Sequence, residues 1–312
     1  MSSKTKKLTF AQKVSKHKQL IPFVLPAILF ALIFCYLPMA GIVIAFKDNP
    51  NFMRYDVFEA LQRADWTLEH FEMIFSDPEI FRVVRNTLII SVMKIVILFP
   101  LPVILAVMIT ELRSQKFSKL VQGLVFLPHF FSWVVIVGIF NSLFGLYGPI
   151  NNIVEALGGT PTHFMGEPLW FRWRVVILSG WKEIGYSSIV YIAAIMSIDP
   201  SLYEAAKIDG ASKLKQIWNI TIPSIMPTII VMLIIRIGYL MDAGFEQVYA
   251  MLNANTMSTG DIIGTFVYRK AMGAESNYGL STAVGLINGL ISMGLILGAN
   301  YFSKKKTGSG VW

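Results

Sequence analysis

Six apolar runs, each long enough to cross a lipid bilayer, constrain this chain more than any other feature of its sequence. A bilayer core needs a helix of about 20 residues, and in lipid every backbone N–H and C=O has to be satisfied internally. The runs therefore predict an all-α, polytopic membrane protein with six transmembrane helices, at about residues 21–46, 87–110, 120–144, 175–198, 222–252 and 280–301. The fifth run is over-long, so we expect it to re-enter polar surroundings before Leu252.

Composition supports a membrane protein on separate grounds. Hydrophobic residues make up 54% of the 312 residues and charged residues only 15%, a balance that no ordinary soluble domain of this length needs. The single cysteine, Cys35, lies inside the first apolar run, which excludes a disulfide within the chain. No small-residue cleavage site follows that run, so we expect a retained first span rather than a signal peptide.

Lysine is distributed unevenly between the segments that join the runs. Fourteen lysines fall in segments on one side of the predicted membrane and two on the other. Because cytoplasmic loops are rich in Lys and Arg, we expect a cytoplasmic basic segment 1–20, a membrane domain 21–302 with a cytoplasmic loop 199–222, and a cytoplasmic tail 303–312. The acidic segment 47–85 is then external, with Trp66, Phe71 and Phe75 spaced along an amphipathic surface helix.

A short polar hairpin separates the fourth and fifth runs. Asp199 is a good N-cap, Pro200 suits the first helical position and Gly210 can take the left-handed conformation that ends a helix, which predicts a helix over about 200–209. Ser212 can cap a second helix, and we expect Pro223 to interrupt it. The apolar residues of that helix recur at i, i+3, i+4 and i+7: Leu214, Ile217, Trp218 and Thr221.

The hairpin sequence EAAKIDGASKLKQIWNITIPSIMP resembles the EAA loop of permease subunits of binding-protein-dependent ABC importers. The residues that stand where this motif expects them are Glu204, Ala205, Ala206, Asp209, Gly210, Ala211, Pro223 and Pro227. The whole chain, including the runs GFEQVY and STAVGL, resembles the carbohydrate-uptake branch of that family.

The resemblance implies a type I ABC importer permease fold in a prokaryotic cell membrane. It implies that the first hairpin helix, with Glu204, Ala205, Ala206, Asp209, Gly210 and Ala211, couples the permease to a cytoplasmic ATPase. The implied partners are a second permease subunit of different sequence, two ATPase subunits, an extracellular solute-binding protein, a carbohydrate and the lipid bilayer. ATP and Mg are expected on the ATPase, with no cofactor or metal on this chain and no nucleic acid partner.

Ionisable residues inside the apolar runs indicate a polar route or structural pairing, because charge is costly in a bilayer. Two helical faces mix aromatic and multi-donor groups suited to sugar: Ser179, Lys182, Glu183 and Tyr186, then Arg236, Tyr239, Leu240 and Ala243. The resemblance also favours these faces as a substrate path, and Arg236 and Lys182 would suit acidic sugars. Structural pairing of Lys182 or Arg236 with Glu183, Asp242 or Glu246, and snorkelling of Lys94, stay open as alternatives.

An enzymatic function finds little support. The four histidines are scattered without a metal-ligand spacing, and the chain contains no G-x-x-x-x-G-K-[ST] phosphate-binding loop. A stand-alone secondary carrier and a membrane enzyme remain the alternatives from other classes. An inverted repeat would favour the first, and a nucleophile or metal cluster the second.

Overall fold

The computed structural model describes residues 21–48, 50–52, 54–273 and 276–311, so the basic segment 1–20 lies outside the described residues. Within the described part, helices account for all the regular structure, apart from an isolated antiparallel bridge between Lys47 and Trp66. The prediction of an all-α fold is therefore confirmed.

Sixteen α-helices follow one another in the described residues, several continued by a π or 3₁₀ turn. The continuations are Leu32–Tyr36 and Leu37–Phe46 after α1, Lys94–Leu98 after α4, Leu127–Phe130 after α6, Ile217–Thr221 after α11 and Ala254–Thr256 before α14. The helices are α1 (Ile21–Ala31), α2 (Val57–Arg63), α3 (Glu69–Ser76), α4 (Pro78–Met93), α5 (Pro100–Thr110), α6 (Gln115–Phe126), α7 (Trp133–Phe144), α8 (Pro149–Ala156), α9 (Pro168–Met196), α10 (Pro200–Ile208), α11 (Lys213–Gln216), α12 (Ile222–Gly238), α13 (Phe245–Met251), α14 (Met257–Gly260), α15 (Ile263–Met272) and α16 (Tyr278–Thr307).

Five helical stretches in the described residues are long and apolar enough to cross a membrane, one of them made of α7 and α8 with a short break between them. Helix α9 followed by α10, bent by 69° between them, makes a sixth if the bent pair counts as one span. Six spans were predicted, and the count agrees on that basis. The five stretches are Pro22–Phe46, Pro78–Thr110, Trp133–Ala156, Lys213–Gly238 and Tyr278–Thr307.

The third span differs from the prediction of one helix over 120–144. Helix α6 ends at Phe126, a 3₁₀ turn follows, and α7 begins only at Trp133. Pro128 lacks the N–H that a continuous helix would need, and the Ser132 side chain caps α7 by accepting a hydrogen bond from the Val135 N–H at 3.3 Å. The apolar run thus covers parts of two helices and the break between them.

The second and fifth spans also depart from their apolar runs. The second begins at Pro78 rather than residue 87, because the Asp77 carboxylate caps the Glu79 N–H at 2.7 Å and the helix starts within a polar segment. The over-long fifth run, expected to re-enter polar surroundings before Leu252, divides into two helices, since α12 ends at Gly238 and α13 starts at Phe245. Between them Ala243 and Gly244 both have positive φ, 55° and 89°.

Residues 47–85 do not form the single surface helix that was predicted. They form two short helices, α2 and α3, and the first turns of α4, and Trp66 lies between α2 and α3 in the bridge to Lys47. Helix α3 buries His70 and Ile74 and packs against α16, whereas Phe75 is exposed. The polar turn between α2 and α3 breaks what the sequence pattern indicated as one amphipathic helix.

Helix α9 lies at the centre of the bundle and packs against α4, α5, α6, α12 and α14. Its buried side includes Phe171 and Val175, which are completely covered. Gly185 lets α6 approach closely, because a Cβ at that position would collide with the carbonyl oxygen of Val125. Helix α9 meets α10 at a bend of 69°, so the hairpin is joined directly to the central helix.

Candidate functional site

The first hairpin helix forms as its sequence predicts. The Asp199 carboxylate accepts a hydrogen bond from the Ser201 N–H at 2.9 Å, and this bonding holds the pKa of Asp199 below its ordinary value. The helix ends before Gly210, whose φ of 73° is a conformation that glycine adopts without strain. The prediction of a capped helix over about 200–209 is confirmed, with α10 ending at Ile208.

The second hairpin helix is capped as predicted but is not interrupted at Pro223. The Ser212 hydroxyl accepts from the Lys215 N–H at 3.4 Å, and α11 then runs through a π turn into α12 as one stretch, Lys213–Gly238. A π turn shifts the backbone hydrogen-bond register, so the missing N–H of Pro223 falls where the helix has already changed its bonding pattern. The helix therefore passes the proline that was expected to end it.

One side of the hairpin is attached to the bundle. The Tyr203 hydroxyl lies 2.9 Å from the Thr221 hydroxyl, and the Lys213 ammonium pairs with the Glu111 carboxylate at 2.6 Å. The Gln216 amide donates to the Ala211 carbonyl at 3.0 Å. These contacts tie both hairpin helices to each other and to the end of α5.

The other side of the hairpin is open. Helix α10 has no buried residue, and Ile208 is 87% exposed. Among the predicted coupling residues, Glu204, Ala205, Asp209 and Gly210 are exposed and Ala206 and Ala211 are half-buried. The hairpin thus presents a carboxylate, small side chains and an apolar tip on a helix attached to the bundle by its other side.

A polar cavity of about 270 Å³ lies between the second, fourth and fifth spans. Glu183 and Arg236, from the two predicted faces, form an ion pair of 3.1 Å across it, with side chains 32% and 44% exposed. The predicted residues Tyr239, Leu240 and Ala243 line the same cavity, as do Ser91, Lys94 and Asp242. The structure therefore brings together five of the eight predicted path residues.

The other three predicted residues lie elsewhere on α9. The Ser179 hydroxyl is buried and donates to the Gln247 side chain at 2.6 Å. The Lys182 ammonium donates to the carbonyl of His129 at 2.7 Å and to that of Phe131, in the break between α6 and α7. The Tyr186 ring stacks in parallel on the His129 ring with centroids 3.7 Å apart.

The pairing alternatives are now distinguished. Arg236 pairs with Glu183, whereas Lys182 satisfies backbone carbonyls rather than a carboxylate. Lys94 does not snorkel, because its ammonium donates inward to the Ala243 carbonyl and the Gln247 side chain, both at 2.9 Å. The Gln247 amide in turn donates to the Val175 carbonyl at 2.7 Å. Gln247 was not singled out from the sequence, where a lone glutamine beside Glu246 carries no distinguishing signal.

A second polar cluster joins the start of α4 to α15 and was not predicted. The wholly buried Asp261 carboxylate pairs with Arg269 at 2.5 Å and accepts from the Thr265 hydroxyl at 2.7 Å. Burial raises the pKa of Asp261, and these two partners oppose that shift. The Asn86 side chain donates to the Asp261 carbonyl at 3.1 Å and accepts from Arg172 at 2.9 Å. Every group here has a partner within the chain, so the cluster fastens helix ends together.

A bundle of membrane-spanning helices with an exposed docking hairpin and an internal polar cavity is the architecture of a membrane transport subunit. Residues 98–306 match the family described as the binding-protein-dependent transport system inner membrane component, and the chain belongs to this family. The predictions of an ABC importer permease and of a transport subunit rather than an enzyme are thereby confirmed. The chain is an inner membrane component with several spanning helices.

Relatives extend this similarity over nearly the whole chain. The Bacillus subtilis (strain 168) polygalacturonan/rhamnogalacturonan transport system permease protein YteP is 38% identical over 311 residues, 99% of this chain and 95% of the relative. A permease chain of a bacterial ABC transporter that imports the acidic polysaccharide alginate has a TM-score of 0.85 and 36% identity, covering 95% of this chain and 98% of that one. A second structure shows a bacterial alginate ABC transporter in complex with an alginate pentasaccharide-bound periplasmic protein. Its matching chain has a TM-score of 0.84 and 36% identity, and the match covers 97% of this chain and 99% of that one.

Proposed function

We propose that this chain is the permease subunit of an ATP-driven importer that translocates a carbohydrate, an oligosaccharide or polysaccharide fragment, delivered by an extracellular solute-binding protein. Family membership supports the transport role. The relatives support the substrate class, since one is named for polygalacturonan and rhamnogalacturonan and another imports alginate with a periplasmic protein.

The observation that carries the proposal is the hairpin, which is attached on one side and open on the other. A helix that must pass movement to a partner needs firm contacts to its own bundle and a free face for that partner. The open face carries Glu204, Ala205, Ala206, Asp209 and Gly210 with the neighbouring Ala211, and it suits the cleft of an ATPase. ATP and Mg bind to two such ATPase subunits, and this chain binds neither.

The complete transporter contains a second permease subunit, which we take to be a different chain. The hairpin, the N-terminal segment and the C-terminal tail lie in the cytoplasm, as the lysine distribution favours. In a Cys35→Ser background, a cysteine introduced at Thr160 is labelled from outside the cell and one introduced at Ser212 is not. Labelling of the second and not the first would reverse the orientation.

The substrate route runs along the polar cavity, where Glu183 and Arg236 face Tyr239, Leu240 and Ala243. Tyr186, stacked on His129 and partly exposed, offers a second ring on the same helix as Glu183, outside the cavity lining. A sugar presents an apolar ring face to an aromatic side chain and exchanges hydroxyl hydrogen bonds with charged groups. Ser179 and Lys182 serve the packing of α9 against neighbouring helices, through their bonds to Gln247 and to the His129 carbonyl.

The test is uptake by vesicles that contain the purified complex of this chain with its partner permease and ATPases. We expect uptake of a galacturonate oligosaccharide that requires internal ATP and the binding protein. Uptake that persists without ATPase subunits and follows an ion gradient would instead make the chain a secondary carrier. Failure to transport any carbohydrate, with ATP hydrolysis intact, would contradict the substrate class.

A further inference from the structure

The second span contributes two polar side chains to the cavity that no sequence pattern placed there. Ser91 and Lys94 are one helical turn apart and both line the cavity that Arg236 and Glu183 enter from the other spans. Ser91 is only 4% exposed, yet its hydroxyl has no hydrogen-bond partner within the described residues. A buried hydroxyl without a partner is uncommon, and the residue that carries it lines the cavity.

Two hydrogen bonds position the Lys94 ammonium and leave one of its N–H groups unused. It carries three N–H groups, and two of them bond to the Ala243 carbonyl and the Gln247 side chain at 2.9 Å. Gly244 makes this approach possible, because a Cβ there would lie 2.8 Å from the ammonium nitrogen. Lys94 also begins a π turn, and such turns are frequent at functional sites.

The cavity is lined by as many cations as anions, and both cations keep N–H donors for a further carboxylate. The cations are Lys94 and Arg236, and the anions are Glu183 and Asp242. Only Glu183 pairs directly with Arg236, so a guanidinium with five donors keeps capacity for a second carboxylate. Lys94 has no carboxylate within salt-bridge distance in the described structure, since its two partners are a carbonyl and an amide oxygen.

We propose that Ser91, Lys94 and Arg236 form a subsite for one uronate residue of the passing carbohydrate. The sugar carboxylate binds between the Lys94 ammonium and the Arg236 guanidinium, a sugar hydroxyl binds Ser91, and Glu183 accepts from a further hydroxyl. The cavity of about 270 Å³ is at the small end of ligand sites, so it holds one sugar residue at a time rather than a folded chain. This inference rests on the proposed function, and it makes Lys94 the residue that distinguishes acidic from neutral sugars.

The experiment compares two probes of equal length, a galacturonate oligosaccharide and its methyl ester, in vesicles containing the complete transporter. The variant is Lys94→Gln, which keeps two N–H donors for Ala243 and Gln247 but removes the charge. The control is Arg82→Gln, which removes a cation from the same helix outside the cavity, where Arg82 makes only a 3.5 Å contact with Glu79. We expect the uptake ratio of acid to ester to fall by about tenfold in Lys94→Gln, the loss of a charge-assisted hydrogen bond, and to stay unchanged in Arg82→Gln.

A second measurement does not depend on transport. In the Cys35→Ser background, Ser91→Cys places the chain's only thiol in the cavity wall, and its rate of modification by a small thiol reagent reports access. We expect the galacturonate oligosaccharide to slow this modification several-fold more than the ester does. Equal protection by both probes, or an unchanged acid-to-ester ratio in Lys94→Gln, would overturn the subsite while leaving sugar transport standing. Transport of neither probe, nor of any other carbohydrate, by the wild-type complex would instead refute the proposed carbohydrate function.

Discussion

The hairpin and the polar cavity differ in how their charged residues are solvated. The hairpin projects its polar residues into solvent, where an exposed charge costs little, and only a few contacts such as Tyr203–Thr221 hold it to the bundle. The cavity holds its charges inside a bundle of apolar helices, where each charge needs a partner. Its residues therefore bond to one another across three spans.

This difference predicts how the two regions respond to substitution. On the hairpin, a change of charge alters what the surface can bind while the fold stays intact, since no buried contact is lost. In the cavity a change of charge alters binding and also removes a contact wherever the group is paired, as Lys94, Glu183 and Arg236 are. Each variant therefore needs two measurements, the yield of complex and the uptake per complex. A hairpin variant should lower only the uptake, whereas a variant that breaks a cavity contact can lower both.

The largest effect is expected from Glu204→Lys on the open face of α10. We infer that Glu204 contacts a basic group of the ATPase, so reversing its charge should abolish uptake and weaken co-purification through repulsion between like charges. The yield of inserted permease should stay normal. Glu59→Lys on the surface helix α2 is the matched control, since Glu59 is also exposed on a short helix, with an i,i+4 partner in Arg63. Equal losses in both variants would remove the coupling assignment from Glu204.

A smaller but clear loss of folded complex is expected from Lys182→Met. This variant withdraws the donor from two backbone carbonyls in the break between α6 and α7, and each buried acceptor left unpaired costs about 1–3 kcal/mol. Yield and melting temperature of the purified complex should fall, with uptake per complex unchanged. Lys116→Met removes an exposed lysine from α6 and should change neither. Full yield with reduced uptake per complex would contradict this structural role and indicate that Lys182 contacts the substrate.

The hairpin could be predicted nearly completely from the sequence because local interactions determine it. Its caps at Asp199 and Ser212 and the turn at Gly210 each depend on residues within four positions. Pro223 was the exception: a π turn, which the sequence gives no sign of, carried the helix past it. The six-span, all-α architecture was predictable for a similar reason, since apolar length alone indicates a membrane helix.

The cavity could be predicted only in part because it joins residues far apart in the chain. Helical spacing placed Glu183 and Arg236 on the correct faces, and their 3.1 Å pair confirms that these faces meet. Spacing within one helix cannot reveal that Lys94 reaches Ala243, 149 positions away, or that Ser179 turns to Gln247 instead of the cavity. The break in the third span was likewise missed, since Pro128 lies in an apolar run where hydropathy stays high.

A moderate effect is expected from Arg236→Met, which keeps the bulk and removes the charge. The pair with Glu183 is partly exposed, so its loss should cost stability no more than about 1 kcal/mol, well below the cost of breaking a buried pair. Complex yield should therefore stay close to normal, while uptake per complex falls because the substrate loses a multi-donor partner. A strong loss of yield with normal uptake per complex would show that Arg236 serves the fold alone.

The smallest effect is expected from Tyr239→Ala at the break that follows α12. The ring lines the cavity and is largely exposed, so its removal leaves no void in the core. If sugar stacks on this ring, loss of the platform should weaken transport by about 1 kcal/mol, roughly fivefold in the concentration that half-saturates uptake. Tyr239→Phe should retain the wild-type value, because the ring face rather than the hydroxyl makes the contact. Tyr147→Ala, which removes an exposed ring away from the cavity, is the control. An unchanged half-saturating concentration in Tyr239→Ala would exclude its ring from the route and leave Tyr186 as the remaining predicted aromatic candidate.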